Sequence, residues 1–97
     1  MGLVKRKFFY EKISVSDSSF PSTPQVHFPF TAHHIILSTN NEEGIGLFFS
    51  FNGIDIDGEL NCSDGPLVFD GMEENRIWLK SSAVVGVKIW GWRAVDR

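Results

Sequence analysis

The sequence predicts an all-β protein of a single domain, an antiparallel β-sandwich that is jelly-roll-like and carries an extended N-terminal arm. A chain of 97 residues is long enough for one domain with one lean core. No segment places apolar residues at the spacing of a helix, whereas turn dipeptides recur between short aromatic and β-branched runs. We therefore expect about seven or eight short strands, which sandwiches and jelly rolls accommodate.

The first 25 residues are predicted to form a strand followed by an arm. Residues 3–13 contain the aromatic and β-branched side chains that are typical of strands. Residues 14–25 are rich in serine and contain two prolines, a composition that suppresses regular structure. We therefore divide the domain into residues 1–25 and a sandwich body of residues 26–97, and expect the arm to lie against an adjacent subunit.

The body begins with a predicted strand at residues 26–37. Pro29 lacks the N–H group of a ladder hydrogen bond, so it indicates an edge, a bend or a bulge within this strand. Residues 38–44 are polar and are predicted to turn the chain.

The strongest local signal is the Asn52-Gly53 dipeptide, which lies between strand-like runs at residues 44–51 and 54–61. Both residues tolerate a positive φ, so the dipeptide predicts a β-hairpin. Asp-Gly pairs follow at residues 57–58, 64–65 and 70–71, and each predicts a further turn. Short strands are then predicted at residues 66–69, 75–80 and 83–92.

Charge and composition argue against several function classes. The net charge is −3, with about +3 in the first twelve residues (four cations and one acid) and so about −6 in the rest. An acidic body argues against nucleic acid as the main partner, because phosphate binding needs clustered Lys and Arg. No apolar run is long enough for a bilayer, so no membrane partner is expected. The single cysteine, Cys62, forms neither an intramolecular disulfide nor a zinc or redox pair, and we expect no cofactor.

The sequence does not predict an enzyme. Adjacent His33 and His34 point to opposite faces of a strand and cannot jointly bind a metal from it, so we expect structural or surface roles for them and for His27. No GxSxG motif fixes a nucleophile. A site of His33, Asp55 and Asp57 is a weaker option without geometric support, so no catalytic residue is predicted.

A weak calcium candidate consists of Asp55, Asp57 and Glu59. These residues alternate in the sequence, so on a continuous strand their carboxylates share one face, as a hard cation requires. The calcium-loop pattern is not met, because Gly58 directly follows the second aspartate. A solvated polar strand face is the alternative.

The tryptophans are the most informative residues. Trp78 lies between two cations on one face of its strand, and Lys88, Trp90 and Trp92 share one face of the last strand. If these two strands pair with Trp78 opposite Trp90, all three indoles form one surface. Such a surface has three interpretations: ordinary core, a subunit interface, or a platform for sugar rings.

Several strands are apolar on both faces, which is more apolar surface than a chain of this size can bury alone. The run at residues 47–51 is one example, and the last strand, where Val87 and Ile89 lie opposite the indoles, is another. We therefore predict a subunit interface. Its expected residues are Trp78, Trp90 and Trp92 on the sheet, with Phe8, Phe9, Tyr10 and Phe20 as anchors of the arm.

The C-terminal two thirds of the chain carries a further pattern. The segments FFSFNGIDIDGEL, PLVFDGM, ENRIWLKSS and VKIWGWR follow one another between residues 48 and 93. Across residues 27–93 this succession resembles small all-β virion proteins of tailed bacteriophages. The resemblance implies a structural subunit of the capsid, the head-tail neck or the tail, located in the virion and assembled in the host cytoplasm. It carries over no catalytic or metal-binding residue.

The leading hypothesis is therefore a non-enzymatic subunit of a phage virion that acts through protein–protein contacts. Its partners are expected to be copies of itself, other virion proteins, or both. The alternative is a carbohydrate-binding β-sandwich that recognises surface glycans through exposed tryptophans.

Overall fold

The computed structural model describes residues 5–39, 45–61 and 65–95, which form strands and no helix. In chain order the strands are β1 (Lys5–Val15), β2 (Val26–Thr39), β3 (Gly46–Ser50), β4 (Gly58–Asn61), β5 (Leu67–Ser81) and β6 (Val85–Val95). Within these ranges there is no helix that is long and apolar enough to cross a membrane. The predicted all-β fold is confirmed. The described residues form six strands in place of seven or eight, and four of the six are 11 to 15 residues long.

The six strands form one antiparallel sheet in the order β1-β6-β2-β5-β3-β4. All eleven residues of β1 pair with β6, from Lys5 opposite Val95 to Val15 opposite Val85. The other edge of β6 pairs with β2, so β2 separates β6 from β5. The pairing considered for Trp78 and Trp90, which would have joined the three indoles in one surface, therefore does not occur, because their strands are not neighbours.

One hydrophobic core joins the whole sheet. Its buried residues are Val15, Val26, Phe28, Ala32, Ile35, Leu37, Leu47, Phe49, Leu60, Ile77, Leu79, Val85, Val87 and Ile89. Because all six strands contribute, the sheet curls over the core instead of lying flat. This antiparallel single domain agrees with the predicted fold class, whereas the jelly-roll connectivity and a separate arm stay predictions.

Irregular pairing between β2 and β5 allows both strands to follow this curvature. The register shifts between His27 and Ala32, an interval that contains Pro29. The pairing is therefore irregular where an edge, a bend or a bulge was predicted. A second shift lies opposite Gly71, whose φ is +70°. The predicted turn at residues 70–71 is thus a bulge inside β5, because a glycine with positive φ suits either structure.

The segment between β1 and β2 has no regular structure, as predicted, but it packs against its own chain. The side chain of Gln25 donates to the Leu79 carbonyl at 2.6 Å and accepts from the Leu79 N–H at 2.9 Å. The Ser81 N–H donates to the Asp17 carbonyl at 2.8 Å. These bonds hold the segment along β5. Since β1 is paired over its full length, residues 5–15 belong to the sheet.

A close fit between Gly91 and Phe28 joins β6 to the core. A Cβ atom at Gly91 would lie 2.5 Å from Cε1 of the fully buried Phe28 ring. The Phe9 ring also packs against the Phe28 ring, edge-on and with 4.9 Å between the centroids. Phe9 was predicted to be an interface residue, but its alternation on β1 turns it toward the core.

The first prediction concerns this fit. Gly91→Ala is expected to lower the free energy of unfolding by about 1–3 kcal/mol, because the added methyl group overpacks the Phe28 site. Gly86→Ala on the same strand is the matched control, since no atom lies within 4 Å of its Cβ position. Urea denaturation of both variants measures the difference. Equal stabilities would contradict the packing described.

Candidate functional site

The outward side of the sheet carries a second apolar surface, here called the aromatic face. It consists of Phe8 and Tyr10 on β1, Trp90 and Trp92 on β6, His34 and Ile36 on β2, and Val68 on β5. Directly opposed residues of antiparallel strands present their side chains on the same side of a sheet, so these residues form cross-strand rows. The same four strands thus carry the core on one side and this face on the other.

The first row is a stack of rings that crosses three strands. Trp92 stacks on Phe8 at 6.1 Å between centroids and 19° between planes, and on His34 at 5.3 Å and 14°. The His34 Nδ1 donates to the Asp70 carboxylate at 2.8 Å on the next strand. This hydrogen bond fixes the imidazole orientation and so holds one end of the stack.

The flanking rings cover part of the Trp92 indole. Phe8 and His34 lie on the two strands that flank β6, so they approach the indole from its two sides. Centroid distances of 5.3–6.1 Å between nearly parallel rings correspond to offset stacking, in which the faces overlap in part. Trp92 is accordingly half-buried.

The second row continues the apolar surface. Tyr10 and Trp90 lie 5.2 Å apart with planes tilted by 39°, and Ile36 and Val68 complete the row across β2 and β5. A shallow groove of about 420 Å³ runs over this surface. Its lining consists of Phe8, Ile36, Pro66, Trp90 and Trp92.

The third row is polar and cationic. Lys12 and Lys88 lie opposite each other on β1 and β6, and Ser38 continues the row on β2. The face therefore changes from acidic to basic along the strands, because Asp70 ends the first row and the two lysines begin the third.

Trp78 does not belong to the aromatic face. It lies opposite Ser50 on β3 and is only 7% exposed. Gly53 covers it, with a Cβ position 2.7 Å from the indole Cε2. The Arg76 guanidinium lies 5.4 Å from the ring centroid. Trp78 is thus a buried residue beneath the β3–β4 loop, whereas Trp90 and Trp92 are half-buried on the aromatic face.

The β3–β4 loop contains Asp55 and Asp57, two of the three residues of the calcium candidate. The predicted hairpin is confirmed, but residues 51–57 form a loop instead of a two-residue turn. Asp55 accepts from the Asn52 side chain at 2.9 Å, and Asp57 accepts from the Phe51 N–H at 2.7 Å. Only Glu59 lies on a strand, so the expectation that Asp55, Asp57 and Glu59 share a strand face is wrong.

Within the described parts of the chain, no group of three or more His, Cys, Asp or Glu residues could hold a metal ion. His33 lines a depression with His34, Met72 and Glu73 on β2 and β5, away from the loop aspartates. Some predictions lie outside the described residues. Cys62 is one of them, as is residue 64 of the turn predicted at 64–65. Residues 40–44 of the turn predicted at 38–44 also lie outside.

Four of the seven predicted interface residues meet on the aromatic face: Phe8, Tyr10, Trp90 and Trp92. Phe20 instead lies 4.8 Å below the Lys80 ammonium of its own chain. Sequence reasoning missed His34, Ile36, Val68 and Asp70. The apolar residues on both sides of the β2 sequence were a signal for His34 and Ile36, but the neighbouring strands could not be inferred from it.

The chain matches no protein-family model, and no similar protein is found among the curated proteins to which it was compared. The functional argument therefore rests on the geometry of the aromatic face.

The second prediction tests the separate environment of Trp78. Gly53→Ala combines a φ of +78° with a clash against the indole, so it should cost about 2–4 kcal/mol of folding free energy. Gly71→Ala shares the positive φ but has open space around it, so it should cost only about 1–2 kcal/mol. Denaturant unfolding compares the two, and Gly53→Ala should shift the Trp78 indole N–H signal in NMR spectra. Equal losses of folding free energy in the two variants would contradict the close packing of Gly53 on Trp78.

Proposed function

We propose that the protein is a non-enzymatic structural subunit that acts through protein–protein contacts made by its aromatic face. The observation that carries this proposal is an aromatic surface on the outward side of strands whose inward side already forms the core. Phe8 is 56% and Tyr10 is 50% exposed on this surface. Contiguous exposed apolar patches of this kind mark interaction sites on soluble proteins.

The composition of the face supports a protein partner. Tryptophan and tyrosine are enriched among the residues that dominate binding energy at protein interfaces, and they act best at the centre of a patch. Here Trp90 and Trp92 lie on β6, which is paired on both edges. Lys12 and Lys88 form the row beyond Tyr10 and Trp90, and Asp70 ends the first row on β5. An apolar centre with a charged rim is the usual arrangement of an interface.

Carbohydrate binding is the second candidate, because two half-buried indoles and a nearby carboxylate, that of Asp70, are present. A sugar ring stacks its C–H groups on an open aromatic face. Phe8 and His34 flank Trp92 in offset stacks and Tyr10 packs against Trp90, so neighbouring rings already cover part of each indole face. The ring arrangement therefore favours the protein-binding proposal.

The third prediction is that Trp92→Ala weakens association. Loss of a central indole should raise the dissociation constant about thirtyfold, which corresponds to about 2 kcal/mol. Val84→Ala is the control, since Val84 is also exposed but lies in the β5–β6 turn. Light scattering after size exclusion gives the mass at several concentrations. A monomeric protein that binds glycans on an array, and loses them in Trp92→Ala, would overturn the proposal in favour of carbohydrate recognition.

A phage virion is the proposed setting, and the resemblance of residues 27–93 supports it. The fourth prediction is that mass spectrometry of purified, nuclease-treated phage particles from the source detects this chain at a fixed ratio to the major capsid protein. A fixed ratio is expected because symmetric assembly sets the copy number of a structural subunit. A chain that is present in infected cells but absent from the purified particles would contradict this setting.

A further inference from the structure

The two ends of the aromatic face carry opposite charges at diagonal corners. The basic corner consists of Lys12 and Lys88, whose strands are neighbours at the β1 side. A shallow groove of about 180 Å³ lies between these lysines, beside Thr39 and Gly86.

The acidic corner lies on β5, at the opposite side and the opposite end of the face. It consists of Asp70, whose side chain is 73% exposed although it accepts the His34 hydrogen bond, and of the exposed Glu73. Glu73 borders the same depression as His34. Each corner therefore holds two charged side chains of one sign, with the apolar rows between them.

From these features we infer that the partner of the aromatic face is a second copy of this chain. This inference rests on the proposed function and names its partner. The two copies pack face to face about a two-fold axis, so that the basic corner of each lies over the acidic corner of the other. A two-fold interface joins the same patch on both copies, and it therefore requires a patch that is complementary to itself.

Strand geometry sets the position of the axis. Neighbouring strands are about 4.8 Å apart, and alternate residues on one strand are about 6.8 Å apart. The basic and acidic corners, separated in both directions, are therefore roughly 17–20 Å from each other. An axis within the interface, at right angles to this diagonal and midway along it, passes close to Ile36 and exchanges the corners. The strands of the two copies then cross at roughly 70–80°, close to orthogonal sheet packing.

Other arrangements leave the charges without partners. A two-fold axis parallel to the strands would place the lysines of one copy over the polar third row of the other. An axis perpendicular to the strands would place them over the aromatic first row of the other copy. A partner of one charge sign would satisfy only one corner and would repel the other. The diagonal two-fold arrangement pairs both corners and also brings the indoles of one copy against the aromatic rings of the other.

The fifth prediction uses two charge-reversal variants. Lys12→Glu with Lys88→Glu makes both corners acidic, and Asp70→Lys with Glu73→Lys makes both corners basic. Each double variant alone should associate about tenfold or more weakly than the wild type, because like charges meet across the axis. An equal mixture of the two should associate as a heterodimer, measured by sedimentation velocity and native mass spectrometry.

Controls separate charge pairing from other effects. Glu59→Lys reverses one charge on β4, away from the face, and so makes the same change per residue as the Asp70→Lys and Glu73→Lys substitutions; it should leave association unchanged. Circular dichroism verifies that each variant folds. If the Asp70→Lys variant fails to fold, the salt dependence of the wild type replaces it: added salt should weaken the dimer, because it screens the corner pairs.

The outcomes distinguish the inference from the proposed function. A mixture that associates no better than either variant alone, while Trp92→Ala still weakens the wild-type assembly, would overturn the diagonal dimer and leave the protein-binding function standing. A wild type that is monomeric at every concentration would overturn the dimer as well. In that case, glycan binding that depends on Trp92 would overturn the function too.

Discussion

The position of β6 between β1 and β2 is the constraint on which both sides of the sheet depend. Inward, β6 contributes Val85, Val87 and Ile89 to the core, and Gly91 leaves room for the Phe28 ring. Outward, the same strand places two indoles between the side chains of its neighbours. A shift of one residue would exchange the two sets, because successive side chains alternate between the faces of a strand. The register of this one strand therefore fixes the core and the aromatic face together.

The core and the face differ in how their rings pack. In the core, Phe9 meets Phe28 edge-on, and the phenylalanines Phe49, Phe51 and Phe69 also form edge-on contacts. On the aromatic face, the rings of the first row lie nearly parallel and in line across the strands. Phe8 and Trp92 of this row also line the shallow groove that runs over the aromatic face.

Local sequence patterns predicted the features that depend on neighbouring residues. The alternation on the last strand predicted its two faces, Asn52-Gly53 predicted a hairpin, and Pro29 predicted an edge, a bend or a bulge where the pairing is in fact irregular. The pairing of strands was not predictable, because alternation reports the face of a residue and gives no information on the strand beside it. Hence Trp78 was grouped with the wrong indoles, and His34 was not recognised as the residue that completes the Trp92 stack. The Asp-Gly pair at 70–71 was misassigned because its backbone preference fits two structures.

The side chain of Gln25 has a consequence for how copies of this chain can meet. Its amide forms both hydrogen bonds that a strand partner would make with Leu79, and so it substitutes for backbone at a point where β2 has not yet begun. An uncovered stretch of β5 would be a template for adding a foreign strand and, with it, for open-ended fibrous growth. By occupying that stretch, the glutamine closes this part of β5 to the addition of a strand.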